Sequence, residues 1–306
     1  MVIITVCCPS RWVARHPCCA GIRPDVPRRN RSAHGIVQSA IRWQRTSQAG
    51  GHRADQTFND DPQHEPTATS TWSRLLAGNR RFAQGKMTHA WQDRETRESL
   101  IDSQRPDAAV LSCSDSRVSP EIIFDAGLGD MFTVRTAGQI IDDSVLASLE
   151  YAVDKLHVSL LVILGHQHCG AIQAADQQLG VLASRVRHGD DSSETVQSLA
   201  SVIDDIEAMG DAQAAQDAQD QLEESLENLL PEAQSPIVRS VGPSVLQAYE
   251  AQLRDHADIE RVHIAHTIEE LVDRSQPIQQ ALADERLIIV GARYCMDTGL
   301  VEVLSF

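Results

Sequence analysis

The sequence predicts an α/β fold in which a central, mostly parallel β-sheet is flanked by helices and ends in an antiparallel edge strand. Short apolar runs alternate with segments of helical period, the order expected of a chain that crosses over between parallel strands. Residues 158–164 are apolar at almost every position, which is typical of a strand covered on both faces. The last apolar run, 286–291, precedes a turn sequence at 297–299 and the segment 300–304. This pattern predicts a terminal hairpin.

The individual elements follow from local patterns. Order is expected to begin near Thr71, where apolar side chains recur at helical spacing and Ser70 or Thr71 can cap the helix. Strands are predicted at 107–112, 131–135, 158–164, 286–291 and 300–304. Helices are predicted after Ser119-Pro120, where proline occupies the first turn, over 142–157, after Gly170 and within 237–275.

Composition and charge narrow the classes of function. Of the 306 residues, 42% are hydrophobic and 4% are aromatic, which allows a substantial core built on aliphatic side chains. The formal net charge of -16 argues against nucleic acid or anionic lipid as a partner, because both need clustered positive charge. No apolar run approaches the roughly 20 residues of a membrane-spanning helix. We therefore expect neither a nucleic-acid nor a membrane partner.

The number and spacing of the cysteines indicate the cellular compartment. The seven cysteines are odd in number and irregular in spacing, which does not suggest a disulfide framework in a chain of this size. The opening apolar run is too short for the core of a signal peptide and has no basic residue ahead of it. A reducing, cytoplasmic location is therefore expected.

Charge divides the chain into two parts. Residues 1–60 hold nine arginines and three aspartates, whereas the remainder carries 18 basic and 40 acidic side chains. Residues 1–68 also lack a sustained hydrophobic period, so we expect a disordered N-terminal extension ahead of a folded domain at 69–306. Within that domain, 188–234 contains no arginine or lysine and is rich in Asp, Glu, Gln and Ala. We interpret this stretch as a solvated acidic insertion that is helical in part.

Two clusters of polar and sulfur-containing residues follow predicted parallel strands. Cys113-Ser-Asp-Ser-Arg117 comes directly after one strand, and His166-Gln-His-Cys169 after another. Ligand sites in open α/β sheets are built at this carboxyl edge. Two thiolates and one imidazole suit Zn²⁺, and a Cys₂His set with an open fourth position is a catalytic rather than a structural pattern.

The spacing of the histidines from Cys169 indicates which imidazole is the metal ligand. His166 is preferred, because three residues allow it and Cys169 to converge on one ion around a tight turn. His168 is adjacent to Cys169 and is expected to point elsewhere. His263 and His266 also have a metal-like spacing, but on a predicted helix they are expected to be surface or packing residues.

Asp115 and Arg117 lie two residues apart and can pair from the same side of an extended segment. Asp115 has two possible roles: the fourth zinc ligand in a closed state, or the acceptor for the proton of a zinc-bound water. Arg117 favours the second role by holding the carboxylate away from the metal. Zinc lowers the pKa of bound water to about 7, so zinc-bound hydroxide would be a competent nucleophile at neutral pH.

Taken together, the two clusters resemble the signature motifs of β-class carbonic anhydrases of the bacterial type. Four further segments are similar to that family in order and spacing: the Arg80-Arg-Phe82 region, Val134-Arg-Thr-Ala-Gly138, Ser148-Leu-Glu-Tyr-Ala152 and Gly291-Ala-Arg-Tyr294. The resemblance implies that 69–306 is a catalytic domain, that Cys113, His166 and Cys169 bind Zn²⁺, and that Asp115 and Arg117 form a gating pair. It implies reversible hydration of carbon dioxide to bicarbonate and a proton, in a homodimer or higher homo-oligomer with the active cleft at the subunit interface.

Some positions depart from the family, and other functions remain open. Gly127 stands where plant-type members have a glutamine that contacts the substrate, while Thr136 and Gln139 stand at or near positions where others have Asn. One alternative is a related zinc hydrolase of carbonyl sulfide or carbon disulfide. Another is a non-catalytic zinc-binding scaffold, against which the gating pair counts because a structural site has no use for it.

Overall fold

A computed structural model of the chain describes residues 67–188, 198–208 and 211–304, and its strands form one five-stranded sheet. The strands are β1 (Ala108–Cys113), β2 (Met131–Thr136), β3 (Leu160–His166), β4 (Ile288–Tyr294) and β5 (Val301–Val303). Their order is β2-β1-β3-β4-β5, in which β5 runs antiparallel to β4 and every other pairing is parallel. The predicted α/β fold, with its antiparallel edge strand, is confirmed.

The helices alternate with the strands as the sequence pattern predicts, but several boundaries differ. They are α1 (Ala68–Ala83), α2 (Arg94–Ser99), α3 (Pro120–Ile123), α4 (Asp143–Asp154), α5 (Gly170–His188), α6 (Leu199–Glu207), α7 (Ala212–Leu229), α8 (Pro236–Glu250), α9 (His256–Arg274) and α10 (Gln276–Ala283). The predicted helical region 237–275 corresponds to α8 and α9, whereas α10 follows it and was not predicted. Among the residues that the structure describes, no helix combines the length and hydropathy needed to cross a bilayer.

The first helix begins earlier than predicted. Its cap is Thr67, whose Oγ1 accepts a hydrogen bond from the N–H of Ser70 at 3.2 Å, so the predicted cap at Ser70 or Thr71 is wrong. The predicted extension, 1–68, lies outside the described residues except for its last two, which form this cap and the first residue of α1.

The two central strands are buried along their whole length. Every residue of β1 and β3 is buried, and the strands pair with Ala108 beside Leu160 and Ser112 beside Leu164. Because parallel strands in this register end side by side, the residues that follow β1 and β3 leave the sheet at the same edge. The fold therefore brings the two sequence clusters to one place.

One helix packs closely on the strand that carries the second cluster. A Cβ atom at Gly165 would lie 2.6 Å from Cδ1 of Ile264 in α9, so any larger residue would force the Ile264 side chain to shift. Glu260, also in α9, forms an ion pair at 2.7 Å with Arg293 of β4, and both side chains are almost fully buried. Since a buried charge without its partner is costly, this pair fixes the position of α9 on the sheet.

The described part of the acidic stretch 188–234 is helical and most of its polar side chains are exposed, but its helices also pack on the rest of the domain through one apolar face, which was not expected. α6, α7 and the turn after α7 contribute aliphatic side chains to one hydrophobic core with α5 and α8. The buried members are Leu199, Val202, Ile203, Ile206, Leu222, Leu226 and Leu230. Within each helix these apolar positions fall on one face and are separated mainly by Asp, Glu, Ser and Ala, so the overall composition obscures the helical stripe.

A buried carboxylate joins the start of α6 to α5. Asp176 Oδ1 accepts hydrogen bonds from the N–H of Leu199 at 3.2 Å and from the hydroxyl of Tyr249 at 3.1 Å. One turn further along α5, a Cβ atom at Gly180 would lie 2.7 Å from the carbonyl oxygen of Ser198. The backbone at the start of α6 is therefore held against α5 by a tertiary cap and by a close steric fit.

Truncation of a buried leucine in α7 is expected to destabilise the protein. Leu226 is 1% exposed, whereas Leu229 in the same helix is 40% exposed. Leu226→Ala should lower the free energy of unfolding by about 2–5 kcal/mol, as for other buried leucines. The matched control, Leu229→Ala, should change it by about 0.5 kcal/mol or less. Urea titration followed by circular dichroism measures both, and equal effects would show that α7 is not packed as described.

Candidate metal centre

Three side chains from the two predicted clusters meet at the carboxyl edge of the sheet. Cys113 ends β1, His166 ends β3, and Cys169 directly precedes α5. Their ligand atoms all lie within 4.8 Å of one another, and all three residues are buried. His168, the other imidazole considered, is exposed and has a positive φ of 55°. The structure thus brings together the three residues that the sequence predicts as ligands.

The hydrogen bonding of His166 leaves one ring nitrogen free to bind a metal. Nδ1 lies 2.9 Å from the carbonyl oxygen of Gln167, and since a carbonyl can only accept, Nδ1 carries the proton. Nε2 is then an acceptor, and it is buried without a hydrogen-bond partner. A buried acceptor with no donor is costly, but coordination of a cation would satisfy it.

The two thiols of the cluster share a negative charge. A hydrogen bond from the Cys169 thiol holds the pKa of Cys113 well below its usual range, against the opposing effect of burial. The same hydrogen bond, together with burial, raises the pKa of Cys169 well above its usual range. Burial disfavours a charge on His166, but the adjacent Cys113 thiolate outweighs this effect and raises the pKa of His166. The cluster therefore offers a preformed thiolate whose charge a cation would balance.

This donor set fits Zn²⁺. Zinc binds thiolate sulfur and imidazole nitrogen with tetrahedral geometry, and a coordinating thiol gives up its proton outright. Zinc would therefore replace the proton that Cys113 and Cys169 share, and it would satisfy the free Nε2 of His166. Structural zinc sites usually have four Cys or His ligands, whereas the group found in the described part of the chain has three.

Asp115 and Arg117 form the pair that the sequence predicts. Arg117 donates from its backbone N–H and from Nε to Asp115 Oδ1, both at 2.9 Å, and from Nη2 to Oδ2 at 2.7 Å. The hydrogen bonds from Arg117 hold the pKa of Asp115 well below its usual range, so the carboxylate is ionised at neutral pH. Asp115 is not a member of the group formed by Cys113, His166 and Cys169. In this arrangement the arginine, not the cluster, orients the carboxylate.

Two residues that support the loop after β1 were given no individual role in the sequence analysis. Arg135 of β2 donates from Nε to the carbonyl oxygen of Cys113 at 3.1 Å and from Nη2 to that of Asp115 at 2.7 Å. The N–H of Gly138 donates to Sγ of Cys113 at 3.3 Å. A charged residue near the end of a strand and a glycine just beyond it were the available signals for these positions.

Comparison with known proteins agrees with the site. A family model described as carbonic anhydrase matches residues 108–242. A carbonic anhydrase of Mycolicibacterium smegmatis is 37% identical over 244 residues, which cover 80% of this chain and 96% of that protein. Carbonic anhydrase 2 of Mycobacterium tuberculosis is 36% identical over 238 residues, which cover 78% of this chain and 92% of that protein. The solved β-carbonic anhydrase CcaA is 23% identical with a TM-score of 0.44, over 76% of this chain and 94% of its own.

The parallel sheet and its Cys₂His cluster define the class of a metal-binding α/β enzyme. Within that class, the chain belongs to the β-class carbonic anhydrase family. Because the match to the Mycolicibacterium smegmatis protein spans almost the whole of that relative, membership does not depend on the two short motifs alone. The resemblance predicted from those motifs is confirmed.

Removal of a cluster ligand is expected to abolish zinc binding. Cys113→Ala or His166→Ala leaves two donors, fewer than zinc sites use. Zinc retained after dialysis against a weak chelator should therefore fall from about one ion per chain to near zero, as measured by inductively coupled plasma mass spectrometry.

Two variants outside the cluster serve as controls for this loss. His168→Ala removes the exposed imidazole next to Cys169, and Cys295→Ala removes a thiol that does not belong to the group. Both should retain the zinc content of the wild type. Full zinc occupancy in Cys113→Ala or His166→Ala would refute the ligand assignment.

Proposed function

We propose that this protein catalyses the reversible hydration of carbon dioxide to bicarbonate and a proton, with Zn²⁺ held by Cys113, His166 and Cys169. The observation that carries the proposal is the buried group of three donors beside an ionised Asp115 that is paired with Arg117. Relatives that match most of this chain are named carbonic anhydrase. The proposed catalytic domain is 69–306.

The chain's own residues would bind the metal and leave one position for the reaction. Zinc supplies Lewis-acid activation of water at neutral pH. A three-ligand set leaves an open fourth position, as catalytic zinc sites do. The almost complete burial of His166 and Cys169, each 1% exposed, holds these ligands in a low-dielectric environment, where electrostatic interactions are stronger than in water.

Asp115 would orient the reacting water rather than store its proton. Its pKa is held low by Arg117, so the carboxylate is a poor proton carrier at neutral pH but a strong hydrogen-bond acceptor. Oδ1 accepts two hydrogen bonds from Arg117 and Oδ2 accepts one. Each carboxylate oxygen has two lone pairs, so Oδ2 can accept a further hydrogen from the reacting water. Arg117 thereby favours this role over that of a fourth ligand.

Stopped-flow hydration of carbon dioxide, with zinc content determined on the same sample, tests the proposal. Rapid hydration at about one zinc per chain, lost on chelation and restored by zinc, is the expected result. Parallel assays with carbonyl sulfide and carbon disulfide separate the related hydrolases, which would turn over those substrates faster. Bound zinc with no turnover of any of the three substrates would support the non-catalytic scaffold.

Loss of either member of the Asp115–Arg117 pair is expected to reduce the rate without removing the metal. Asp115→Asn and Arg117→Ala should retain zinc but lower kcat for carbon dioxide hydration by about 10- to 100-fold, the usual effect of disrupting residues just outside a metal's ligands. Asp284 and Arg286 form an exposed pair with the same spacing and supply matched controls. Asp284→Asn and Arg286→Ala should leave kcat unchanged, whereas wild-type kcat in Asp115→Asn would remove the pair from the mechanism.

We also propose that the active protein is a homodimer or a higher homo-oligomer. Large apolar side chains are exposed in the segments that precede β1 and β2: Trp91 is 59%, Ile101 75% and Leu128 50% exposed. Trp91 and Leu128 also line a surface cavity of about 260 Å³ that contains none of the three cluster residues. Exposed apolar surface of this kind is often covered by another protein subunit. Sedimentation equilibrium should give a mass above that of one chain, and a monomeric mass at micromolar concentration would contradict the proposal.

A cytoplasmic location is proposed from cysteine chemistry. Cys113, Cys169 and Cys295 carry free thiols in the described part of the chain, and a reducing compartment keeps thiols in this state. The proposed function needs two of them as ligands, because oxidation to a disulfide would remove both sulfur donors.

A further inference from the structure

A histidine in α9 lies just outside the metal centre with both ring nitrogens hydrogen-bonded. His263 is 2% exposed. Its Nε2 lies 2.7 Å from the carbonyl oxygen of Gly138, and its Nδ1 lies 2.8 Å from Oγ of Ser244 in α8. Because the carbonyl can only accept, Nε2 carries the proton, and Nδ1 must then accept from the Ser244 hydroxyl. The ring is therefore fixed in one tautomer and one orientation.

Gly138 connects this histidine to a cluster thiolate. Its carbonyl accepts from His263 while its N–H donates to Sγ of Cys113 at 3.3 Å. Gly138 has a positive φ of 67°, and a Cβ atom there would lie 2.9 Å from Cβ of Ala171. The position thus requires glycine, yet glycine is the residue with the greatest backbone freedom. An external anchor is needed to keep its N–H directed at the sulfur, and His263 supplies one.

The histidine acts as a neutral group in this arrangement. Complete burial lowers the pKa of His263 to about 4, although the hydrogen bond to Gly138 and the Cys113 thiolate oppose the shift. His266, one turn further along α9, also disfavours a charge on His263. At neutral pH the contact with Gly138 is therefore a hydrogen bond between neutral groups, and the effect on the thiolate is transmitted through geometry.

We propose that His263, oriented by Ser244, is a positioning residue that holds Gly138 in the conformation in which its N–H donates to the Cys113 thiolate. The inference rests on the proposed metal site and extends it to two helices that contribute no ligand. A hydrogen bond to a ligating sulfur stabilises the thiolate over the thiol, which favours metal binding, and it changes the energy of the sulfur-to-metal charge transfer. His263 and Ser244 therefore set both the affinity for the metal and the electronic character of the metal–sulfur bond.

The test compares His263→Leu and Ser244→Ala with His266→Leu, a control in the same helix whose side chain is only partly buried. Each purified protein is stripped of metal and its zinc affinity is measured by competition with a chromophoric chelator. Each is then loaded with Co²⁺, and the sulfur-to-cobalt charge-transfer absorption is recorded. The melting temperature of the metal-free protein is measured in parallel, because loss of packing alone would lower it without shifting the absorption.

The expected result is a zinc affinity lower by about 10- to 100-fold in His263→Leu, with a shifted charge-transfer band. Ser244→Ala should lower the zinc affinity and shift the charge-transfer band in the same direction, but by less than His263→Leu does. In the double variant, Ser244→Ala should add nothing to the effect of His263→Leu. His266→Leu should match the wild type. Wild-type affinity and an unshifted band in Ser244→Ala and His263→Leu, whatever their melting temperatures, would overturn the inference.

Failure of the His263→Leu variant to fold, and failure of the wild-type protein to bind metal, can each be distinguished from a refutation of the role of His263. If His263→Leu does not fold, Ser244→Ala decides the question, because it removes one hydroxyl and leaves the imidazole in place. If the wild-type protein itself binds neither Zn²⁺ nor Co²⁺, the proposed metal centre fails and this inference fails with it. Metal binding by the wild type with no change in the variants refutes only the role of His263.

Discussion

The parallel pairing of β1 with β3 is the contact on which the rest of the structure depends. It sets Ser112 beside Leu164, so that Cys113 and His166 leave two buried strands at adjacent points. A shift of the register by one residue would displace Cys113 from His166 by about 3.3 Å along the strand direction. Continuous burial along both strands holds the register, because a slipped strand would no longer match the helices packed on either face. The hydrophobic core of the sheet therefore determines the geometry of a polar site.

Around this edge, the residues outside the cluster restrict how its donors can move. Arg135 holds the carbonyl groups of Cys113 and Asp115, and Arg117 orients the Asp115 carboxylate. On the opposite side, α9 reaches Gly138 through His263. Arg117 is exposed, whereas His263, Gly138 and Cys113 are buried, where an unpaired polar group is costly. Loss of the contact from His263 would leave the Gly138 carbonyl without its donor in this buried region.

The acidic region illustrates how composition can mislead about packing. Its charge lies on side chains between the apolar positions, while Leu222 and Leu226 reach the core that α5 and α8 also form. The stretch is joined to α5 by the Asp176 carboxylate, which accepts from the first N–H of α6. α5 itself begins at Gly170, next to Cys169. The added helices therefore pack on the same helix that follows the candidate metal centre, and they extend the protein's core.

The sequence by itself determined the strands, the donor types and the family, because these depend on short apolar runs and on residues close together in the chain. The pairing of Asp115 with Arg117 was predictable for the same reason, since only one residue separates them. Tertiary structure alone decided which distant groups meet: Gly138 contacts the sulfur of a residue 25 positions away, and His263 contacts a carbonyl 125 positions away. It also decided that the acidic stretch is packed. No local pattern specifies such contacts, because they depend on how separate helices and strands fill the same buried space.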